Sequence, residues 1–357
     1  MQVRQLGEQG LLKRLQEFCP VELIGDDAAL LTVAAGQSLV VTTDMLVDGV
    51  HFSDRTTSPF DAGWRATAAN LSDLAAMGAS PLGITIGLSL PGAVEVSWVE
   101  QFYQGIVACL QPYSTPIVGG DICRSSVITV SITAFGQVSP SRAIRRSTAR
   151  PGDAILVTGV HGASRAGLEL LLHPDQGQGL SAADRAALIQ AHQRPVPRLD
   201  VVALLRDGGD AAPEPRRTKG DAGDAGDAAP EPRRTKGDGL LRVAGMDSSD
   251  GLADAVLQIC RASRVGAEIE RNLIPFPPGL TAWVLEAQAV EWALYGGEDF
   301  ELVLCLPRLV AQRLVEQLGN GAAIVGRITA EPTVVLRDRS GLYGDEILRL
   351  EKGFQHF

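Results

Sequence analysis

The stretch from Thr42 to Gly78 constrains this chain most, because it must be extended at one end, helical at the other and acidic in both. It reads TTDMLVDGVHF, then a polar turn, then WRATAANLSDLAAMGA. The run Ser38-Leu39-Val40-Val41 reads as a strand that delivers two hydroxyls and a carboxylate (Thr42, Thr43, Asp44) at its carboxyl end. His51 follows an Asp48-Gly49 turn signal. The period then changes to that of a helix. Trp64, Ala68, Leu71 and Ala75 form one apolar face, and Asn70, Asp73 and Met77 share another. Asp73 therefore sits one turn from an amide on a helix that also has to pack. Alone, the stretch could be a strand, a hairpin and an amphipathic helix with ordinary surface acids. Similar acid-bearing turns elsewhere in the chain argue against that.

A chain of 357 residues has room for two domains, each with its own core. Its 45% hydrophobic and 21% charged residues are those of a soluble globular protein. The first residues, MQVRQLGEQGLLKRL, lack the apolar core of a signal peptide, and no run long enough to span a bilayer occurs. A cytoplasmic protein is expected. Cys19, Cys109, Cys123, Cys260 and Cys305 stand far apart with no C-x-x-C pair, so neither a zinc knuckle nor a disulfide framework is indicated. The net charge of −10 argues against nucleic acid and anionic membrane as partners and is compatible with a chain that collects divalent cations.

Along the chain, residues 8–18 read as a short helix, followed by Gly25-Asp26-Asp27-Ala28 and a strand from Ala29 to Val33. Residues 82–88 read as a strand, Val96 to Leu110 as a helix, and Pro116-Ile117-Val118 as a strand leading into Gly119-Gly120-Asp121. Val127 to Val138 alternates as a half-buried strand does. This pattern makes a mixed α+β domain over 1–139, with a second domain over 140–357. The joint carries Arg142, Arg145, Arg146 and Arg150. Ala154 to Thr158 reads as a strand running into Gly159-Val160-His161-Gly162-Ala163-Ser164 and a helix, Arg165 to Leu172. A glycine loop at a helix start can present N–H groups to phosphate, but neither G-x-x-x-x-G-K-[ST] nor a strand-to-helix G-x-G-x-x-G occurs.

Residues 207–239 contain DAAPEPRRTKGD twice, without one large apolar side chain between Asp210 and Asp238. Such a segment cannot bury enough surface to offset its ordering entropy, so a disordered surface insertion is expected. Leu240–Val243 reads as a strand, and Met246-Asp247-Ser248-Ser249-Asp250-Gly251 opens a helix, Leu252 to Ala262, where Ser and Asp also make ordinary caps. Tyr295-Gly296-Gly297-Glu298-Asp299-Phe300 leads into a strand, Glu301 to Leu306. A helix (Leu309–Leu318) and two strands (Ala323–Ile328, Thr333–Leu336) complete the second domain.

Asp27, Asp44, Asp73, Asp121, Asp247 and Asp250 each sit at a strand end, a glycine turn or a helix face. Like charges ~4 Å apart cost roughly 4 kcal/mol per pair at an effective dielectric of 20, so converging acids either take up protons or hold cations. Oxygen donors without His or Cys select Mg²⁺, Mn²⁺ or Ca²⁺. Mg²⁺ held by carboxylates shares its other positions with water and substrate phosphates, which the basic run 142–150 would neutralise. Read from the residues, this is a metal-assisted phosphoryl-transfer enzyme.

GDDAALL, TTDMLVDGVHF, NLSDLAAMGASP, GGDICR, RRSTARPGD, DSSDGLADA and YGGEDFEL, in this order and spacing, resemble the thiamine-monophosphate kinase family, of the superfamily that includes aminoimidazole ribonucleotide synthetase. The resemblance covers the chain except 207–239. It implies the two-domain α+β fold of that superfamily, a mixed sheet packed by helices in each domain. It also implies conversion of ATP and thiamine phosphate to ADP and thiamine diphosphate, the last step of thiamine diphosphate biosynthesis. A homodimer through the amino-terminal domains and a nucleotide in the interdomain cleft follow from the same likeness. By motif, Asp27, Thr42, Thr43, Asp44, Asp73, Asp121, Asp247 and Asp250 match magnesium ligands, with Asp44, Asp121 and Asp250 nearest the chemistry. Gly120, Asp121, Arg146 and Ser249 match ATP contacts, and His51, Glu298 and Phe354 match the thiamine-phosphate site. Ser248 stands where the family commonly has an apolar residue, and Ile122-Cys123 replaces a hydroxyl-bearing pair. No ligand role is carried over to those two. Selenophosphate synthetase and the hydrogenase-maturation relative would need cysteines in places where this chain has none. A sensor on the same scaffold would be expected to lack acids that are present here.

Overall fold

The computed structural model describes residues 1–24, 28–208, 242–319 and 321–352. Helix α1 (Val3–Leu15) precedes strand β1 (Ser38–Val47), helix α2 (Pro59–Ala76), strand β2 (Ser80–Leu90) and helix α3 (Val96–Leu110). Strands β3 (Ile117–Arg124) and β4 (Thr129–Val138) complete a four-stranded sheet of order β1-β4-β2-β3, in which only the β2–β3 pair is parallel. Strand β5 (Ala154–Val157) then leads to helices α4 (Ala163–Leu172), α5 (Ala182–Gln193) and α6 (Leu199–Gly208). After them come β6 (Ala244–Asp247), α7 (Leu252–Ser263), β7 (Gly266–Glu270), α8 (Leu280–Trp283), α9 (Glu286–Tyr295), β8 (Leu302–Leu306), α10 (Arg308–Leu318), β9 (Ala323–Thr329), β10 (Val334–Arg337) and β11 (Glu346–Ile347). The second sheet has the order β11-β10-β7-β9-β5-β8-β6.

Helix α2 is the element that joins the two sheets. Ser58 caps it by accepting from the Asp61 N–H at 3.2 Å, Pro59 supplies the preset first φ, and Gly78 (φ 70) ends it. It crosses α3 with backbones nearly touching: a Cβ on Gly63 would lie 1.9 Å from the Phe102 carbonyl oxygen, and one on Gly105 would lie 1.9 Å from that of Phe60. Leu71, Leu74 and Ala75 pack with Ile84, Ile86 and Ile132 from the first sheet and with Leu302, Leu304 and Leu306 from the second, in one continuous core. The other face of β8, Val303 and Cys305, packs into a second core with α7. A strand covered on both sides reads as an unbroken apolar run, and LVLCL is one.

Several boundaries differ from the sequence reading. Residues 29–33 are not a strand, because no neighbour among the described residues offers a ladder there. Strand β1 continues to Val47, paired residue by residue with β4, so Thr42, Thr43 and Asp44 lie mid-strand and not at its end. Gly119-Gly120-Asp121 likewise lies inside β3. Of the strand expected at Leu240–Val243, Arg242 and Val243 are not in a strand and a strand runs from Ala244 to Asp247, while the rest of it falls in residues 209–241, which with most of the insertion lie outside the described residues.

Candidate active site

Four acids converge between the two sheets. On β1, Thr42 and Asp44 face α2, as the burial alternation requires. The Thr42 hydroxyl donates to the Asp73 carboxylate, and the Asp44 N–H donates to Asn70 Oδ1 at 3.2 Å. Burial, then the charges of Asp247 and Asp250, push Asp44 up to about 6. Burial, then Asp247 and Asp44, push Asp73 up to about 7 against the opposing influence of Thr42 and Arg146. Asp247, at the end of β6, is buried and raised by desolvation although Ser72 Oγ (2.7 Å) and Ser249 Oγ (3.0 Å) donate to it. The helix α7 that follows is capped by Gly251, with no side-chain capping bond, so the acids of Asp247-Ser248-Ser249-Asp250 are not spent as a cap.

Among the described residues no three His, Cys, Asp or Glu side chains are close enough to hold a metal ion by themselves. The donor chemistry nonetheless fits a hard divalent cation. The cluster is all oxygen, and burial together with the charges of its neighbours holds Asp44 and Asp73 above their ordinary values. Asp27 and Phe354 lie outside the described residues.

Two other matched residues sit elsewhere. Thr43 points to the opposite face of the first sheet, where its Oγ1 lies 2.9 Å from Thr133 Oγ1. Asp121 is on that same outer face, in the cross-strand row Asp121–Gly87–Ser131–Met45, while Gly120 is in the inner row Gly120–Ile86–Ile132–Asp44. Three strand spacings, roughly 14 Å, separate β3 from β1. Within one chain, Asp121 does not join the cluster. A pocket of about 600 Å³ beside Gly119, Gly120 and Asp121 is walled by Leu12, Leu15 and Tyr103.

His51 and Glu298 are brought within electrostatic reach of each other beside Arg65 of α2. The Val47 N–H donates to His51 Nδ1 at 3.1 Å. Glu298 sits in a turn where Gly297, Glu298 and Phe300 have φ of 65°, 57° and 51°, the left-handed region that side chains normally avoid. The turn is fixed by the Glu298 N–H donating to the Ser249 carbonyl at 2.7 Å. Burial alone would raise the Glu298 carboxyl, but Arg65, His192 and His51 outweigh it and hold it below the ordinary range. Helix α4 does not offer its amino end to a phosphate. The N–H groups of Gly162 and Ser164 already donate to Asp299, at 2.7 and 2.9 Å.

The sequence reading missed Arg65 and His192, which flank Glu298. An arginine among the alanines of the packed α2 face was the available signal for the first; nothing in the sequence marked the second.

The fold and the acid cluster define an AIR synthase-like architecture, and the family model for "AIR synthase related protein, N-terminal domain" matches residues 25–138. A thiamine-monophosphate kinase from Synechococcus elongatus is 53% identical over 99% of this chain and 97% of its own length. The thiamine-monophosphate kinase crystal structure from Stenotrophomonas maltophilia K279a superposes with a TM-score of 0.74 at 31% identity, covering 92% of this chain and 95% of that one. "AaThiL complexed with AMPPCP and TMP" does so with 0.66 at 30%, covering 97% and 98%. This chain belongs to the thiamine-monophosphate kinase family.

Proposed function

We propose that this chain transfers the γ-phosphate of ATP to thiamine monophosphate by direct in-line displacement, giving ADP and thiamine diphosphate. The observation that carries the reading is the convergence of Asp44, Asp73, Asp247 and Asp250 from both sheets on one cleft, with Arg146 close enough to act on Asp73 and Asp247. A relative that holds AMPPCP and TMP together supports it. In such a transfer the substrate phosphate is itself the nucleophile, so no general base is required and the protein supplies position and charge. Asp44, Asp73, Asp247 and Asp250, with Thr42, would hold Mg²⁺, which when bound neutralises the charge of the transferring phosphoryl group. Arg146 and Ser249 attend the nucleotide on the acid-cluster side, with Gly120 and Asp121 matched to it on the family's pattern. His51 and Glu298 receive the thiamine end, joined by Phe354 on the family's pattern.

A cytoplasmic homodimer through the first sheet goes with this reading. Its support is the outer face of β1, where Leu39, Val41 and Met45 are 49%, 53% and 56% exposed. Pairing there sets Thr43 and Asp121 at the joint between two copies, which accounts for their distance from the cluster of their own chain. Among the described residues no helix is long and apolar enough to cross a membrane.

The deciding assay supplies ATP, Mg²⁺ and thiamine monophosphate and resolves the products by chromatography. Thiamine diphosphate with ADP is expected; AMP with orthophosphate, or turnover only with unphosphorylated thiamine, overturns the reading.

The cluster also fixes how metal binding depends on pH. Asp44 and Asp73, raised to about 6 and about 7, must give up protons before they take a cation. The gain in Tm on replacing EDTA by Mg²⁺ is therefore expected to grow from pH 5 to pH 7.5 and level off above. Taking the difference between the two conditions removes the opposing contributions of buried His161 and His192, whose lowered values favour the fold as pH rises toward 6.5. A gain that is flat or falls across this range would show that these carboxyls do not meet the metal.

A further inference from the structure

Arg65 is an anomaly in its helix. Its side chain is 2% exposed, on the second turn of α2, and its Nε has no hydrogen-bond partner. Nη2 donates to Glu298 Oε1 at 2.6 Å and lies 3.5 Å from the His51 carbonyl oxygen. Nη1 donates to the His192 carbonyl and stands 3.4 Å from its ring Nδ1. His192 is held in turn, its Nδ1 3.1 Å from Ser164 Oγ and 3.8 Å from Glu298 Oε2. One guanidinium thus gathers the loop after β1, the end of α5 and the strained turn before β8. A buried arginine is stable only when its charge is paired, and here the partner is a carboxylate that is 36% exposed. The arginine is behind and the carboxylate in front.

We infer that Arg65 is a positioning residue of the thiamine-phosphate pocket, holding the Glu298 carboxylate in the place where the cationic thiamine ring system docks and tying it to the His51 loop. The inference rests on the proposed reaction and adds a residue to it. Arg65, itself 2% exposed, acts through the half-exposed Glu298 carboxylate and the His51 loop. Its effect falls on one of the two substrates, because the contacts of its guanidinium run to Glu298, the His51 loop and His192.

The test is steady-state kinetics of Arg65→Gln, Arg65→Lys, Glu298→Gln and the Arg65→Gln/Glu298→Gln double variant, with both substrates varied. Arg65→Gln is expected to raise the KM for thiamine monophosphate at least tenfold and to leave that for ATP within twofold. The double variant is expected to be no worse than Glu298→Gln alone, within twofold, because Arg65 acts through that carboxylate. A merely structural role would raise both KM values together and add to the Glu298→Gln defect, and either result overturns the inference. If Arg65→Gln does not fold, Arg65→Lys decides. An ammonium reaches Glu298 or the His192 carbonyl but not both, so a three- to tenfold rise for thiamine monophosphate alone is expected. A smaller rise sinks the inference. Wild-type protein that makes no thiamine diphosphate would refute the reaction itself. Wild-type turnover with an unmoved KM in Arg65→Gln would refute only this assignment.

Discussion

Asp44→Asn is expected to abolish turnover, by about a thousandfold or more, and at the same time to stabilise the metal-free protein. Both effects have one cause. The Asp44 carboxyl is raised to about 6 by burial and by the charges of Asp247 and Asp250, so its ionised form is held in the fold under protest. A fold that binds the proton more tightly than the unfolded chain is most stable at low pH and loses that stability as pH rises through about 6. At pH 8 the carboxylate costs up to about 3 kcal/mol, of which a neutral amide would recover roughly 1. The gain should be visible by calorimetry in EDTA at pH 8 and absent at pH 4. Turnover is expected to move the other way, because on the proposed reading the carboxylate that strains the apo fold is the one that would hold the cation facing the transferring phosphoryl group. Asp250→Asn should lose activity to a similar degree. Near-wild-type activity of both variants at limiting Mg²⁺ would mean that the reaction centre is elsewhere.

Gly63→Ala is expected to cost about 4 kcal/mol or more, enough to leave little soluble protein at 37 °C. The added methyl would lie 1.9 Å from the Phe102 carbonyl oxygen, against backbone that cannot rotate away, so α2 and α3 would have to part. That opens the core at Leu71, Leu74, Phe102 and Ile106. Gly49→Ala is the control. Its φ of 81° is unfavourable to alanine, but nothing lies within 4 Å, and about 1 kcal/mol is expected. Denaturant midpoints of the two variants decide it. Equal midpoints would show that the helices can separate at little cost.

What was legible in the sequence follows from what each signal measures. Val96–Leu110 was read to the residue because apolar periodicity and helix coincide there. The reading stopped β1 at Val41 because the apolar run stops there. The ladder continues for another six residues because β4 pairs with it, and a partner strand is not visible in local composition. Had the strand been carried through, its period of two would have shown that Thr42, Thr43 and Asp44 cannot all face one cleft. The seven motifs gave the acids and their order, and the structure brings Asp44, Asp73, Asp247 and Asp250 together. Strand β7, GAEIE, and helix α5, AADRAALIQAHQ, went unread because neither has a sustained apolar pattern, and packing decides them. The contacts of Arg65 span α2, α5 and the turn before β8, and a pairing of that range leaves no trace in spacing.

Helix α2 contributes Asp73 to the cleft and Leu71, Leu74 and Ala75 to a core that also contains Leu302, Leu304 and Leu306. Enzymes with a cleft between two lobes commonly admit substrate by swinging the lobes apart about a hinge. Here the wall of the cleft is also the shared spine, and a swing would pull leucines of the second sheet off the alanine face of that spine. Asp73 is thereby carried on the element that holds the two sheets together, and the His51 loop and the Glu298 turn are tied to that same helix through Arg65. A vice with welded jaws must be loaded from the side.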